Sequence, residues 1–227
     1  MSNPPPLPPA RQDPAVAGAL AEQEIYQSRR AAIDDDTSLT PLARAEAIAQ
    51  AYTESSQIIE RHAKDLRDRR TARLEHLRSQ LPIGPGVPAD ASPADRAVLV
   101  AEFRAALERA RSAHGQDAKR LLAEAIRFGD EATVRAVLTV AAERGEPQLL
   151  DQWAEAEGKQ DLLAELRELE SALNGAGPDA LWESKAFRPL NRPIEVANLP
   201  FMRRQAEQEA REAEQRRRLA TPAYRRY

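Results

Sequence analysis

Residues 128–156 read FGDEATVRAVLTVAAERGEPQLLDQWAEA, and this stretch decides the fold. Val134, Val137, Leu138 and Ala141 recur at helical spacing. Arg144-Gly145 then stops the pattern, and Leu149, Leu150 and Trp153 begin a second apolar face. A glycine just past the last periodic residue takes the left-handed backbone that ends a helix. The same punctuation extends both ways. Leu121, Leu122, Ala125 and Ile126 come before it, and Leu162, Leu163, Leu166 and Leu169 come after it. Gly115, Gly129, Gly145, Gly158 and Gly175 divide the series. Helices are predicted over 93–113, 116–128, 130–144, 147–157 and 159–173. Ser92-Pro93 opens the first, a hydroxyl cap followed by proline at the first helical position.

Toward the N-terminus the pattern changes. Residues 82–91 (PIGPGVPADA) carry three prolines and two glycines, which propagate neither helix nor sheet, so a linker and domain boundary are placed there. Before it, Thr40-Pro41 opens a long helix expected to run to about Leu81. Leu42, Ala45, Ala49, Tyr52, Ser56, Ile59, Ala63 and Leu66 follow heptad spacing. The phase then shifts by an eleven-residue step from Ala63 to Leu74, and Leu77 and Leu81 continue it. At ~1.5 Å per residue such a helix is roughly 60 Å long and needs a partner along its side. A first helix, about Ala15 to Ile33 with Val16, Leu20, Tyr26 and Ile33 on one side, ends at Asp34-Asp35-Asp36. Folded back, it covers half of the long helix. Tyr52, Ile59, Leu66, Leu74, Leu77 and Leu81 are therefore a candidate oligomer seam, and a hairpin within one chain is the competing reading.

The ends differ from the middle. Residues 1–14 (MSNPPPLPPARQDP) are too rich in proline for a helix and read as an extended or disordered arm, with no leader peptide. Residues 174–200 read as mostly irregular but hold Leu181, Trp182, Phe187, Leu190, Ile194, Val196 and Leu199. So many large apolar groups call for a surface to lie on, either a partner's or the 93–173 helices. A last helix is predicted from Phe201 to about Leu219, followed by a basic tail. The expected organisation is all-α: arm 1–14, hairpin or coiled coil 15–81, linker 82–91, a small solenoid-like domain 92–174, a docking segment 175–200 and a basic terminus 201–227.

Composition supports thin helical layers. Of 227 residues 42% are apolar, yet only 4% are aromatic and much of the rest is alanine, which buries little area. Charged residues make up 30%, with a net charge of only −3, so nothing drives the whole chain toward nucleic acid or anionic membrane. The charge is uneven, however. Residues 146–174 carry eight carboxylates against Lys159 and Arg167, a net of −6. Residues 201–227 carry eight arginines against four glutamates, a net of +4.

Cysteine is absent, which removes disulfides, thiolate nucleophiles and Cys-ligated zinc. His62 and His76 stand fourteen residues apart on one helix, and His114 sits at a helix end. Asp34, Asp36 and Ser38 begin like a calcium loop, but Leu39 replaces its glycine and Ala45 its bidentate glutamate. Gly84-Pro85-Gly86 lacks the lysine and hydroxyl of a phosphate loop. The expectation is a non-enzyme with no metal or cofactor and no membrane span, located in a cytoplasm.

Two local resemblances refine this. The stretch 128–156 resembles the helix-turn-helix units of α-solenoids such as tetratricopeptide repeats, although no 34-residue period repeats. The layout of charged helix followed by a small basic helix resembles scaffolding-type and other structural proteins of tailed bacteriophages. LTPLARAEAIAQAY (39–52) is similar to small helical proteins of actinobacterial phage and prophage structural regions. The resemblance implies a virion-structural or assembly protein in the host cytoplasm or virion. Its partners would be other structural proteins and further copies of itself. It makes Arg203, Arg204, Arg211, Arg216, Arg217 and Arg218 the docking charges, beside Trp182 and Phe187. Two other readings stand: a cytoplasmic solenoid adaptor for a peptide, and a nucleic-acid accessory acting through the arginines. Glu207, Glu209, Glu212 and Glu214 weigh against the last, since a phosphate-binding arm gains nothing from them.

Overall fold

The computed structural model describes residues 4–220. Among them the structure is helical with no strand: α1 (Pro14–Asp35), α2 (Pro41–Ser79), α3 (Pro93–Ser112), α4 (Gln116–Phe128), α5 (Glu131–Arg144), α6 (Pro147–Glu157), α7 (Gln160–Leu173), α8 (Ala180–Ala186) and α9 (Ile194–Ala220). The chain is all-α, as its periodicity requires. It divides into two compact units, and neither is continuous in sequence. The first comprises Arg69–Gly177 together with residues up to Pro6. The second comprises Leu7–Asp68 together with the chain from Pro178 onward. The division falls inside α2, not in the 82–91 stretch expected to be a boundary. That stretch is held against α5 within the first unit. The Gly84 amide donates to the Thr139 hydroxyl at 2.9 Å, and Gly86 lies so close to the Arg135 guanidinium that a Cβ there would meet it at 2.2 Å.

In the first unit α5 is the centre. Ala136 and Leu138 are fully buried, and Thr133, Val134, Val137, Val140 and Ala141 nearly so, because α3, α4 and α6 all pack around it. Small residues on α3 (Ala106, Ala110) and α5 (Ala136) allow close approach. Each helix meets its successor or the next but one: α3 with α5, α4 with α5 and α6, α5 with α6, α6 with α7. Gly129, Gly145 and Gly158 take φ of 68°, 68° and 63° directly after α4, α5 and α6, which is why L side chains are disfavoured there. Two of the predicted glycine stops act differently. Gly115 precedes α4 instead of ending α3, and Asn174 closes α7 with Gly175 one residue beyond. The last part of α2 belongs to this unit. Leu74 and Leu77 are buried there, while Arg73 and Arg78 reach Glu165 and Glu170 on α7, at the same offset of 92 residues, so the two helices run parallel.

In the second unit α1 folds back along the first part of α2. His62 lies against Gly18, Ser55 donates to Glu22 at 2.6 Å in the interior, and Tyr52 meets Tyr26 edge-on at 6.4 Å between centroids, so the helices are antiparallel. Asp13 caps α1, accepting from the Ala15 amide at 2.8 Å, and is itself fully buried. The N-terminal segment read as a solvated arm is packed from Ala10 on: Ala10 to Gln12 form a 3-10 turn, and Ala10 is buried. α8 closes this core. Its Ala186 lies among Ala10, Ala15, Val16, Ala19, Ile59 and Leu66, and the Ala10 amide donates to Asp179 just before α8.

Residues 174–200 are thus less irregular than expected. α8 forms there, and α9 begins at Ile194, passing through Pro200. The helix expected from Phe201 thus starts seven residues earlier and accommodates that proline. Pro200 removes one amide donor seven residues into a helix that salt bridges from Arg30 to Glu195 and from Arg203 to Glu46 hold to α1 and α2.

Candidate interaction surfaces

α9 presents a long run of exposed side chains in the second unit. Glu195, Val196, Leu199, Met202 and Ala206 are partly covered, and from Glu207 to Arg218 every residue is exposed. Burial among the described residues does not account for that half of the helix. What supports it locally is a ladder of pairs one turn apart: Gln205 to Glu209, Gln208 to Glu212, Arg216 to Glu212 and Arg218 to Glu214. Such a polar helix is the kind that bridges to something else. On its outer side Ile194 and Phe201, 71% and 65% exposed, lie seven residues apart and so share one stripe. Arg204 and Arg211 carry that stripe onward.

The expected docking residues separate into two groups. Arg204, Arg211, Arg216, Arg217 and Arg218 are exposed on α9. Arg203 instead pairs with Glu46 on α2 at 2.8 Å. Arg225 and Arg226 lie outside the described residues. Trp182 and Phe187 are a correction. Both are partly buried against the core formed by α1, α2 and α8, with Arg11 and Lys185 over the Trp182 ring at 4.6 and 5.8 Å. The segment packs on its own chain, where Trp182, Ala186, Phe187 and Leu190 complete a core that α1 and α2 alone leave open.

The proposed seam on α2 is corrected on the same grounds. Ile59 and Leu66 are buried in the second unit, Leu74 and Leu77 in the first, and Leu81 packs against the core around α5. Tyr52 is half-buried against Tyr26. These side chains are already covered within one chain and present no continuous apolar strip. The phase step after Leu66 is filled by two buried arginines, Arg70 and Arg73, which the periodicity did not reveal because their charge reads as surface. Their long stems cover apolar surface while the head group seeks a partner. Arg73 finds one in a two-pronged contact with Glu165, at 2.7 and 2.8 Å, and donates a third bond to the Pro4 carbonyl. Hydrogen bonding from that guanidinium holds the Glu165 carboxyl below its usual range, against the opposing effect of partial burial.

The first unit offers two different surfaces. One is a cleft of about 620 Å³ between the end of α2 and α7, lined by Leu81, Ile83, Leu150, Leu163 and Leu166 with Arg78 and Glu170 at the rim. The other is acidic. Glu155, Glu157, Asp161 and Glu168 on α6 and α7 are exposed and have no ion pair among the described residues, whereas Asp151, Glu165 and Glu170 are paired with arginines.

The sequence matches no family model, no curated protein and no solved structure. Geometry therefore carries the functional reading. Among the described residues no three His, Asp or Glu side chains are grouped to hold a metal ion, and no helix is long and apolar enough to cross a membrane. His62 packs on Gly18, His76 lies 2.8 Å from the Gln80 amide nitrogen, and His114 is 3.0 Å from the Ser112 carbonyl. Each is occupied at a helix contact or a helix end.

Proposed function

We propose that this chain is a non-catalytic assembly or virion-structural protein that works through protein–protein contacts, with α9 as its principal docking element. The observation that carries the reading is the half-helix Glu207–Arg218, which is formed yet exposed on every side. Holding an exposed polar helix in order costs conformational entropy, and a partner offsets that by covering its side chains. The phage-type assignment rests on the resemblance of the charged-helix layout and of residues 39–52. The interleaved glutamates on α9 favour a protein partner over a phosphate backbone.

The test is co-sedimentation. Full-length protein and a chain ending at residue 200 are each followed through virions and assembly intermediates of the producing cell. The full chain is expected in those fractions and the shortened one is not. Absence of the full chain from both virions and intermediates sinks the reading.

One observation favours a second reading, the peptide adaptor: the apolar cleft between α2 and α7 has the size of a side-chain-binding groove. Retention of a partner that is insensitive to loss of α9 and abolished by Leu150→Glu would transfer the function to that cleft.

A further inference from the structure

We propose that α9 of one copy docks antiparallel on the acidic face of α7 of a second copy, a head-to-tail contact between unlike surfaces. This deepens the assembly reading and depends on it.

Spacing and charge carry the proposal. Arg204, Arg211 and Arg218 stand seven residues apart on α9, so they form a slowly drifting stripe with a repeat of about 10.5 Å. On α7, Asp161 and Glu168 also stand seven residues apart, both exposed and without an ion pair among the described residues. The same repeat with opposite charge allows both pairs to form at once. With the helices antiparallel, Arg204 meets Glu168 and Arg211 meets Asp161. Arg218 then reaches the last turn of α6, where Glu155 and Glu157 are exposed. Run parallel, the same register would carry Arg218 past the end of α7 to Gly175, where no carboxylate waits.

The apolar groups fit the same register. Phe201 lies one turn before Arg204 on its stripe, and Ala172 lies one turn beyond Glu168 on its own. Ala172 is only partly buried and too small to exclude a ring. Phe201 thus gains a surface that its own chain does not provide. Of the acids on α9, Glu207 falls nearest the stripe, with Arg204 and Arg211 one turn to either side of it, and Glu214 comes next, held by Arg218. Arg203 plays no part, being engaged with Glu46.

Because the two surfaces differ, each copy can bind one neighbour through α9 and another through α7.

Sedimentation velocity of the full chain over a wide concentration range tests this. Weight-average mass is expected to rise with concentration and to fall when salt is raised from low to about 0.5 M, since exposed charges are screened within a few ångströms at such ionic strength. Arg204→Glu/Arg211→Glu and Asp161→Arg/Glu168→Arg are each expected to weaken association at least tenfold. Mixing the two restores it, because each reversed surface then meets its complement. All four side chains are exposed, so circular dichroism is expected to match the parent. Phe201→Ala, which leaves every charge in place, is expected to weaken association severalfold. A parent chain that stays monomeric at all concentrations overturns the proposal. So does association that neither reversal weakens, or a mixture that remains dissociated. If self-association fails while the chain is still recovered in assembly intermediates, only this inference falls. If the chain associates but is absent from them, only the assembly reading falls.

Discussion

Arg73 shows how much can depend on one side chain that a hydropathy pattern counts as surface. It is 8% exposed, with two prongs on Glu165 and one on Pro4. Charge-assisted pairs of this kind contribute about 1–3 kcal/mol, and Arg73→Ala is expected to lower the unfolding free energy within that range, measured by urea titration. Acidification acts on the same contact. Glu165 is held below its unfolded carboxyl range, so its stabilising effect is complete above the ordinary glutamate pKa and is lost as pH falls through the depressed value. Stability of the parent should therefore decline on acidification more than that of Glu165→Gln, and equal slopes would show that the pair contributes nothing. A second residue-scale prediction concerns Gly18. A Cβ there would meet the His62 ring at 2.6 Å. Gly18→Ala is expected to cost about 1–3 kcal/mol by overpacking, and adding His62→Ala should recover most of it by vacating the space.

At the scale of elements, the helices from α3 to α7 were legible in the sequence nearly to the residue, because apolar periodicity and glycine punctuation agree there. Of the helices after them, the last was legible from Phe201 on, while α8 and the first turns of α9 were not. α9 begins seven residues before the expected start at Phe201 and passes Pro200, held by Arg30–Glu195 before it and Arg203–Glu46 after it. These contacts join residues over 150 positions apart, beyond the reach of any local pattern. Of the candidate surfaces, the exposed arginines of α9 were legible from charge alone. The burial of Trp182, Phe187 and the α2 leucines was not, since an apolar side chain looks the same whether its cover comes from its own chain or from another. The two halves of α9 should differ in hydrogen exchange. Amides of 207–218 have no packing to protect them and are expected to exchange orders of magnitude faster than those of 195–203. Comparable protection in an isolated monomer would contradict the exposed half-helix.

At the scale of the whole molecule, a division inside a helix could not be read from composition. The Pro- and Gly-rich stretch 82–91 looks like a joint and is fastened to α5 through Gly84 and Thr139. The real division leaves each compact unit built from two separated pieces of chain. Cutting the chain after Gly177 should therefore leave the first unit's core intact while stripping α8 and α9 from the second. The shortened protein is expected to bind a dye specific for exposed apolar surface strongly, and to lose the cooperative unfolding of the second unit alone.

The same interruption sets an order in time during synthesis. α1 and the first part of α2 are made early, yet the α8 residues that cover their apolar faces come more than 110 positions after Asp68. At about 5–20 residues per second, the nascent chain carries that uncovered face for roughly 5–20 s. The α5-centred unit is complete before α8 has been translated. A chaperone that recognises short apolar helices meets its best target in that interval, on ribosomes stalled between residues 68 and 178, and should release it once α8 emerges.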